Sequence, residues 1–125
     1  MIALSNRVHS FAHPANKEKL IAFFTNILGC EVLEIPAGPG VPSPAVAFTF
    51  PGGGSLSFEF TEDALDERQA RRAPYLELRS DDPSALKQKI IEAGLPGVEE
   101  YTTGEYFYFQ APGGQVIRIV PAGGG

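Results

Sequence analysis

Arg118 stands between Ile117 and Ile119 in a β-branched run close to the end of a 125-residue chain. If residues 116–120 form a strand, Ile117 and Ile119 point to one face and Val116, Arg118 and Val120 to the other. A guanidinium on such a face can anchor a carboxylate, phosphate or phenolate, or pair with a protein carboxylate. It has no lone pair and stays protonated, so it cannot ligate a cation. Elsewhere in the sequence, His9, His13, Glu59 and Glu77 are side chains that can carry protons or bind metal. Cys30 is the single cysteine, which excludes an intrachain disulfide and a CxxC metal knuckle. It reads as a small buried hydrophobe just after a helix.

These groups must be positioned by strands and helices that the hydrophobic pattern makes legible. Residues 7–13 read as a first strand. In residues 16–29, Leu20, Phe23, Phe24, Ile27 and Leu28 form the stripe of an amphipathic helix, with Asn16 as N-cap and Gly29 as stop. A short strand at 30–35 and a Pro/Gly loop at 36–44 lead to two strands, 45–50 and 55–60, joined as a hairpin across PGGG. Residues 61–72 are a charged connector whose simplest reading is a solvated face with a helical turn or two. The order then repeats: a strand at 74–80, a helix capped by Asp82 with Pro83 at its first position and Gly94 at its stop, a short strand at 95–101, and a hairpin of 105–110 with 114–120 across APGG. The predicted fold class is α+β, one domain over 1–125, with module one at about 5–61 and module two at about 73–121. A shift of 59 lays Phe48 over Phe107, Phe50 over Phe109 and Glu59 over Arg118, and a shift of 66 lays His9 over Tyr75. A tandem βαβββ duplication is the economical explanation.

Alternation gives every strand an apolar side, which should pack on the helices, and a second side that is polar and aromatic. Collected, the second side carries His9, Phe11, His13, Thr49, Ser57, Glu59, Tyr75, Glu77, Tyr106, Tyr108 and Arg118. It has several rings and no lysine, which suits a ligand-lined cleft better than a bare wet face. A formal net charge of −5 excludes a general affinity for nucleic acid or anionic membranes. No apolar stretch is long enough to span a bilayer, and the first ten residues lack a secretory signal, so a cytoplasmic location is expected. The tail 121–125 is expected to be disordered.

The strings VHSFAHPANKEKLIAFFTNILGCEV and FYFQAPGGQVIRIV resemble the vicinal oxygen chelate superfamily, whose members include glyoxalase I, extradiol dioxygenases, fosfomycin-resistance proteins and bleomycin-binding proteins. The resemblance implies two βαβββ modules curling into an open barrel-like sheet around a cleft, helices outside, in a homodimer. It also implies four metal positions, which fall here on His9, Glu59, Tyr75 and Arg118. The last two depart from the usual His and Glu, and this argues against glyoxalase, dioxygenase and fosfomycin-type chemistry. By the duplication, Glu59 is the expected partner of Arg118. No cofactor is favoured, and the chain reads as a metal-free protein binding a small aromatic or anionic organic molecule. Its ligand-binding residues would be Phe11, Thr49, Ser57, Glu77, Tyr106, Tyr108 and Arg118. The alternative is a divalent-metal-dependent lyase or dioxygenase with ligands relocated to Glu77 or His13, or metal-free acid/base catalysis by His9, Glu59 and Tyr75.

Overall fold

In the chain's computed structural model, residues 1–95, 97, 98, 101 and 104–123 are described. The chain divides into two compact units, Met1–Ala64 and Leu65–Gly125, taken below as modules one and two. The fold is α+β, with one mixed sheet in each module. No helix among the described residues is long and apolar enough to cross a membrane.

Module one contains β1 (Arg7–Ala12), α1 (Lys17–Ala22), β2 (Glu31–Ile35), β3 (Ala45–Thr49) and β4 (Ser55–Phe60). Its strands lie in the order β1-β4-β3-β2, with β1 parallel to β4 and the remaining neighbours antiparallel. The predicted helix over 16–29 is shorter and changes pitch: α1 gives way to a π-turn at Phe23–Ile27. Thr25 accounts for part of this, because its hydroxyl donates to the Ile21 carbonyl at 2.6 Å and competes with the regular backbone ladder. Asn16 does not cap through its side chain; instead His13 Nδ1 accepts from the Ala15 amide at 3.0 Å and starts the chain into a preceding 3-10 turn. The apolar stripe still does its work. Phe24 stacks on Phe48 with ring centroids 4.6 Å apart and lies 5.7 Å from Phe58. Leu20, Phe23, Phe24, Val46, Phe48, Leu56 and Phe58 are each 4% exposed or less.

Module two contains α2 (Glu67–Ala70), β5 (Leu76–Ser80), α3 (Pro83–Glu92), β6 (Phe107–Gln110) and β7 (Val116–Pro121). The strand order is β5-β7-β6, with β5 parallel and β6 antiparallel to β7. α3 begins as its sequence predicts: Asp82 accepts from the Ala85 amide at 3.1 Å and Pro83 opens the helix. Ile90 of α3 is buried, as are Phe109, Ile117 and Ile119 on the apolar side of the sheet. Of the strand expected over 95–101, four residues are described, and Gly97 makes a single bridge to Phe109. Of the tail, Pro121 ends β7, and residues 124 and 125 lie outside the described residues.

One constant shift does relate the two hairpins, but it is 61 rather than 59: Thr49 faces Ser55 as Gln110 faces Val116, and both turns span five residues. Ala45 faces Glu59, 14 residues apart, whereas Tyr108 faces Arg118, 10 residues apart. Arg118 is thus the counterpart of Ser57, which faces Ala47 ten residues away, and Phe48 is the counterpart of Phe109 rather than Phe107. The parallel registers extend the correspondence, since His9 faces Ser57 as Glu77 faces Arg118.

The charged connector is also less solvated than its composition suggests. Asp66 and Gln69 form a reciprocal capping box, with Asp66 Oδ1 2.8 Å from the Gln69 amide and Gln69 Oε1 3.0 Å from the Asp66 amide. The buried Gln110 donates to the Glu67 carbonyl at 2.7 Å and the Gly114 carbonyl at 2.9 Å, docking α2 on the β6–β7 hairpin. Gly114 sits at φ +115°, and a Cβ there would lie 2.9 Å from the Ala70 side chain and 3.0 Å from the Glu67 backbone. We expect Gly114→Ala to destabilise the fold by at least about 1 kcal/mol in urea denaturation. Gly52→Ala, with no atom within 4 Å of its Cβ position, is the control and should cost a few tenths at most, as is usual for open surface sites.

Candidate functional site

On the polar side of module one, the register aligns His9 of β1 with Ser57 of β4 and Ala47 of β3, and Phe11 with Glu59 and Ala45. His9 Nδ1 lies 2.6 Å from Ser57 Oγ, and His9 Nε2 lies 3.3 Å from Glu59 Oε1. An ionised carboxylate can only accept, so Nε2 carries the proton toward Glu59. The neutral ring then presents the Nδ1 lone pair to the Ser57 hydroxyl. The Phe11 ring meets the imidazole edge-on at 5.2 Å. His9 is 46% exposed in its side chain and Glu59 14%, so the carboxylate sits deeper than the ring it holds. Thr49 lies on the same face at the exposed end of β3, opposite Ser55. His13 falls beyond β1 and spends its Nδ1 as a cap, which removes it from the face.

On the polar side of module two, one cross-strand row carries Glu77, Arg118 and Tyr108. Arg118 Nε donates to Glu77 Oε1 at 2.7 Å, Nη2 pairs with the same oxygen, and Nη1 donates to the Tyr108 hydroxyl at 3.1 Å. The guanidinium carbon lies 5.2 Å from the Tyr75 ring centroid, 5.3 Å from Tyr106 and 5.9 Å from Tyr108. Three electron-rich faces and a carboxylate thus surround one cation. Its already high pKa is raised further, first by the Tyr108 hydrogen bond and then by the Glu77 hydrogen bond, against the opposing pull of desolvation. The charge is permanent.

Within its own module, Arg118 pairs with Glu77, and Glu59 with His9. The reason is register: β5 and β7 run parallel with Glu77 directly opposite Arg118, so the nearest carboxylate comes from the neighbouring strand of the same sheet. Glu77 is consequently not a free relocated ligand. Tyr101 was not foreseen; its ring lies 4.4 Å from that of Tyr108 and extends the aromatic cluster. Nothing in the spacing of Tyr101 marks it, because it lies beyond any regular strand.

The four positions that the resemblance reserves for metal hold two good donors, His9 and Glu59, one weak one, Tyr75, and one cation, Arg118. That donor set does not fit a divalent ion held by four protein ligands. Among the described residues no group of three or more His, Cys, Asp or Glu converges to hold an ion.

A cavity of about 450 Å3 opens in module two beside α3. Lys87, Val98, Tyr101, Tyr106, Phe107 and Tyr108 are among its walls, so two of the rings around Arg118 also face this space. The volume is in the range of small-ligand sites. Lys87 Nζ lies 5.3 Å from the Phe107 ring centroid.

No protein-family profile and no curated protein matches the sequence. Solved structures do. A glyoxalase family protein from Bacillus anthracis has a TM-score of 0.70 at 20% identity, covering 95% of this chain and 94% of that one. A fosfomycin resistance protein from Listeria monocytogenes gives 0.69 at 16% identity over 98% and 93%. A glyoxalase/bleomycin resistance protein from Streptomyces sp. CB03234 gives 0.64 at 24% identity over 92% and 98%. With the two sheets and their registers, these likenesses define the fold: it is that of the vicinal oxygen chelate superfamily.

One nucleophile is placed out of reach of any such site. Cys30 is 6% exposed, and desolvation pushes its thiol up to about 12 from 9.0. The fold thus disfavours the thiolate, so the thiol's contribution to stability is complete below pH 9.0 and is lost as pH rises from there toward about 12. Ellman's reagent at pH 8 should leave the native thiol unreacted and titrate it fully after guanidinium unfolding. Rapid native reaction would show that the thiol is accessible.

Proposed function

We propose that this chain is a metal-free member of its fold that binds a small aromatic or anionic organic molecule. The observation that carries this reading is the cavity in module two, whose wall shares Tyr106 and Tyr108 with the cluster around Arg118. Glu77 neutralises Arg118, which stands behind the cavity wall, so a ligand in the cavity meets the rings of Tyr101, Tyr106 and Tyr108 rather than a bare positive field. Lys87 is the cation available to an anionic group on the ligand. A planar ring bearing one carboxylate or phenolate suits this combination. The name of the Streptomyces neighbour, a glyoxalase/bleomycin resistance protein, is in keeping with sequestration of an aromatic compound. We include homodimerisation in the proposal, because Val32 and Leu33 on the edge strand β2 remain 41% and 64% exposed.

The second reading, a metal-dependent lyase or dioxygenase, draws on one observation, the adjacency of His9 and Glu59. A Listeria neighbour is described in complex with Mn(II) and a dihydroxypropylphosphonic acid, so the fold as such accommodates metal and phosphonate together.

Two titrations separate these readings. Chelator-stripped protein titrated calorimetrically with Mn, Ni, Co, Zn and Fe(II) should show no stoichiometric site that His9→Ala abolishes. Benzoate and bleomycin, followed by NMR, should shift resonances of Tyr101, Tyr106, Phe107 and Tyr108. Tyr108→Leu should weaken that binding about 10-fold, the worth of one ring contact. One tightly bound ion per chain, lost in His9→Ala, would instead return the protein to the metal-dependent class.

A further inference from the structure

Module one holds a constellation that ligand binding in module two does not use. Ser57 Oγ, both nitrogens of His9 and Glu59 Oε1 form an unbroken chain across β1 and β4, with contacts of 2.6 Å and 3.3 Å. We propose that Ser57 is a nucleophile activated by His9, and that this face of module one transfers acyl groups from small activated esters. The proposal is independent of the ligand reading above, since every residue it uses lies in module one.

Proton bookkeeping fixes the roles. Glu59 can only accept, which places the ring proton on Nε2 and leaves Nδ1 as the base facing Ser57. Attack by Ser57 Oγ on an ester carbonyl carbon forms the new C–O bond as the hydroxyl proton passes to Nδ1. The ring is then an imidazolium, and the Glu59 carboxylate faces its Nε2–H. Collapse of the tetrahedral adduct breaks the bond to the leaving alkoxide or aryloxide, which takes the proton from Nδ1. Water repeats the sequence on the acyl-serine, giving the carboxylic acid and restoring the hydroxyl. No oxidant, metal or other co-reactant is needed.

Three structural features favour this over an incidental hydrogen bond. His9 is 46% exposed, so water could serve its nitrogens, yet both have protein partners. His9 and Ser57 are paired across adjacent strands and Glu59 follows two residues on along the same face of β4, which fixes their spacing more firmly than a loop would. Ala47, opposite Ser57 on β3, places only a methyl group beside the hydroxyl. The substrate class is limited by the backbone: β4 lies between β1 and β3, so its ladder groups are engaged on both sides and are not free to stabilise an oxyanion. Substrates must therefore bring a good leaving group, as aryl esters do.

The test uses the full chain with a fluorophosphonate probe, located by peptide mass spectrometry, and p-nitrophenyl acetate turnover. Ser57 should carry the adduct, and His9→Ala should slow its formation about 100-fold or more with the melting temperature checked in parallel. Ser55, on the same face without an imidazole, is the internal control. Glu59 is a positioning residue: Glu59→Leu should slow labelling at least about 10-fold, and Glu59→Gln, whose amide oxygen still accepts from Nε2, should restore most of the rate. Should His9→Ala not fold, His9→Gln replaces it. Absence of a Ser57 adduct on folded protein, equal labelling of Ser55, or a rate indifferent to His9 would each overturn the proposal.

Discussion

A guanidinium in a β-branched strand is a charge that the protein cannot titrate away, and module two is arranged around that constraint. Arg118 cannot be neutralised by losing a proton, so its charge must be met by partners. The parallel pairing of β5 with β7 supplies Glu77 directly opposite, and the antiparallel pairing with β6 supplies the Tyr108 hydroxyl from the other side. One row of three strands thus provides anion, cation and phenol in order. The rings of Tyr75 and Tyr106, which lie just before β5 and β6, close around the same cation. Val116 and Val120, which flank Arg118 on this face, are buried, so the charged group emerges from apolar neighbours and its partners must be close.

Module one solves a different problem with the same geometry. The permanent cation on the corresponding face, Arg7, stands at the start of β1 opposite Ser55, and the row beside it holds His9 and Ser57 instead. Its imidazole is a group that can hold or release a proton, and the partners on β4 are a hydroxyl and a carboxylate. The registers equate His9 with Glu77 and Ser57 with Arg118, so the two modules share strand pairing while differing in chemistry. A charge-fixed row in one module and a proton-moving row in the other are the result. This division explains why a ligand-binding role and a reactive role can be assigned to different modules without competing for the same side chains.

The elements were legible because they rest on local rules. Asp82, Pro83 and Gly94 bracket α3 by capping and turn chemistry, and the alternation in β4 puts Leu56, Phe58 and Phe60 on one side. What could not be read is what depends on relative placement. The partner of Arg118 follows from the register of two strands separated by α3, and a parallel crossover leaves no mark of register in either strand. The two-residue error in the hairpin shift is hidden because strand alternation has period two, so Phe48 meets a phenylalanine at either 59 or 61. The π-turn is likewise invisible to a periodicity count, since Thr25 redirects a carbonyl without disturbing the apolar stripe. The capping role of His13 was masked by its chemistry: a histidine four residues from another draws attention as a ligand, although here its nearest task is an amide two residues on.

The structural likenesses sharpen what a shared fold does and does not carry. At 16–24% identity the helices, sheets and registers persist because they depend on apolar pattern and turn geometry, which many sequences satisfy. Chemistry depends on single side chains. At Arg118 the chain holds a guanidinium, and the fold accommodates it because Glu77 stands across the strand to meet it. In this row the protein supplies its own cation and lines it with tyrosine. Function in this fold is therefore decided row by row across the strands, and each row must be read with its cross-strand partners before any activity is carried over from a neighbour.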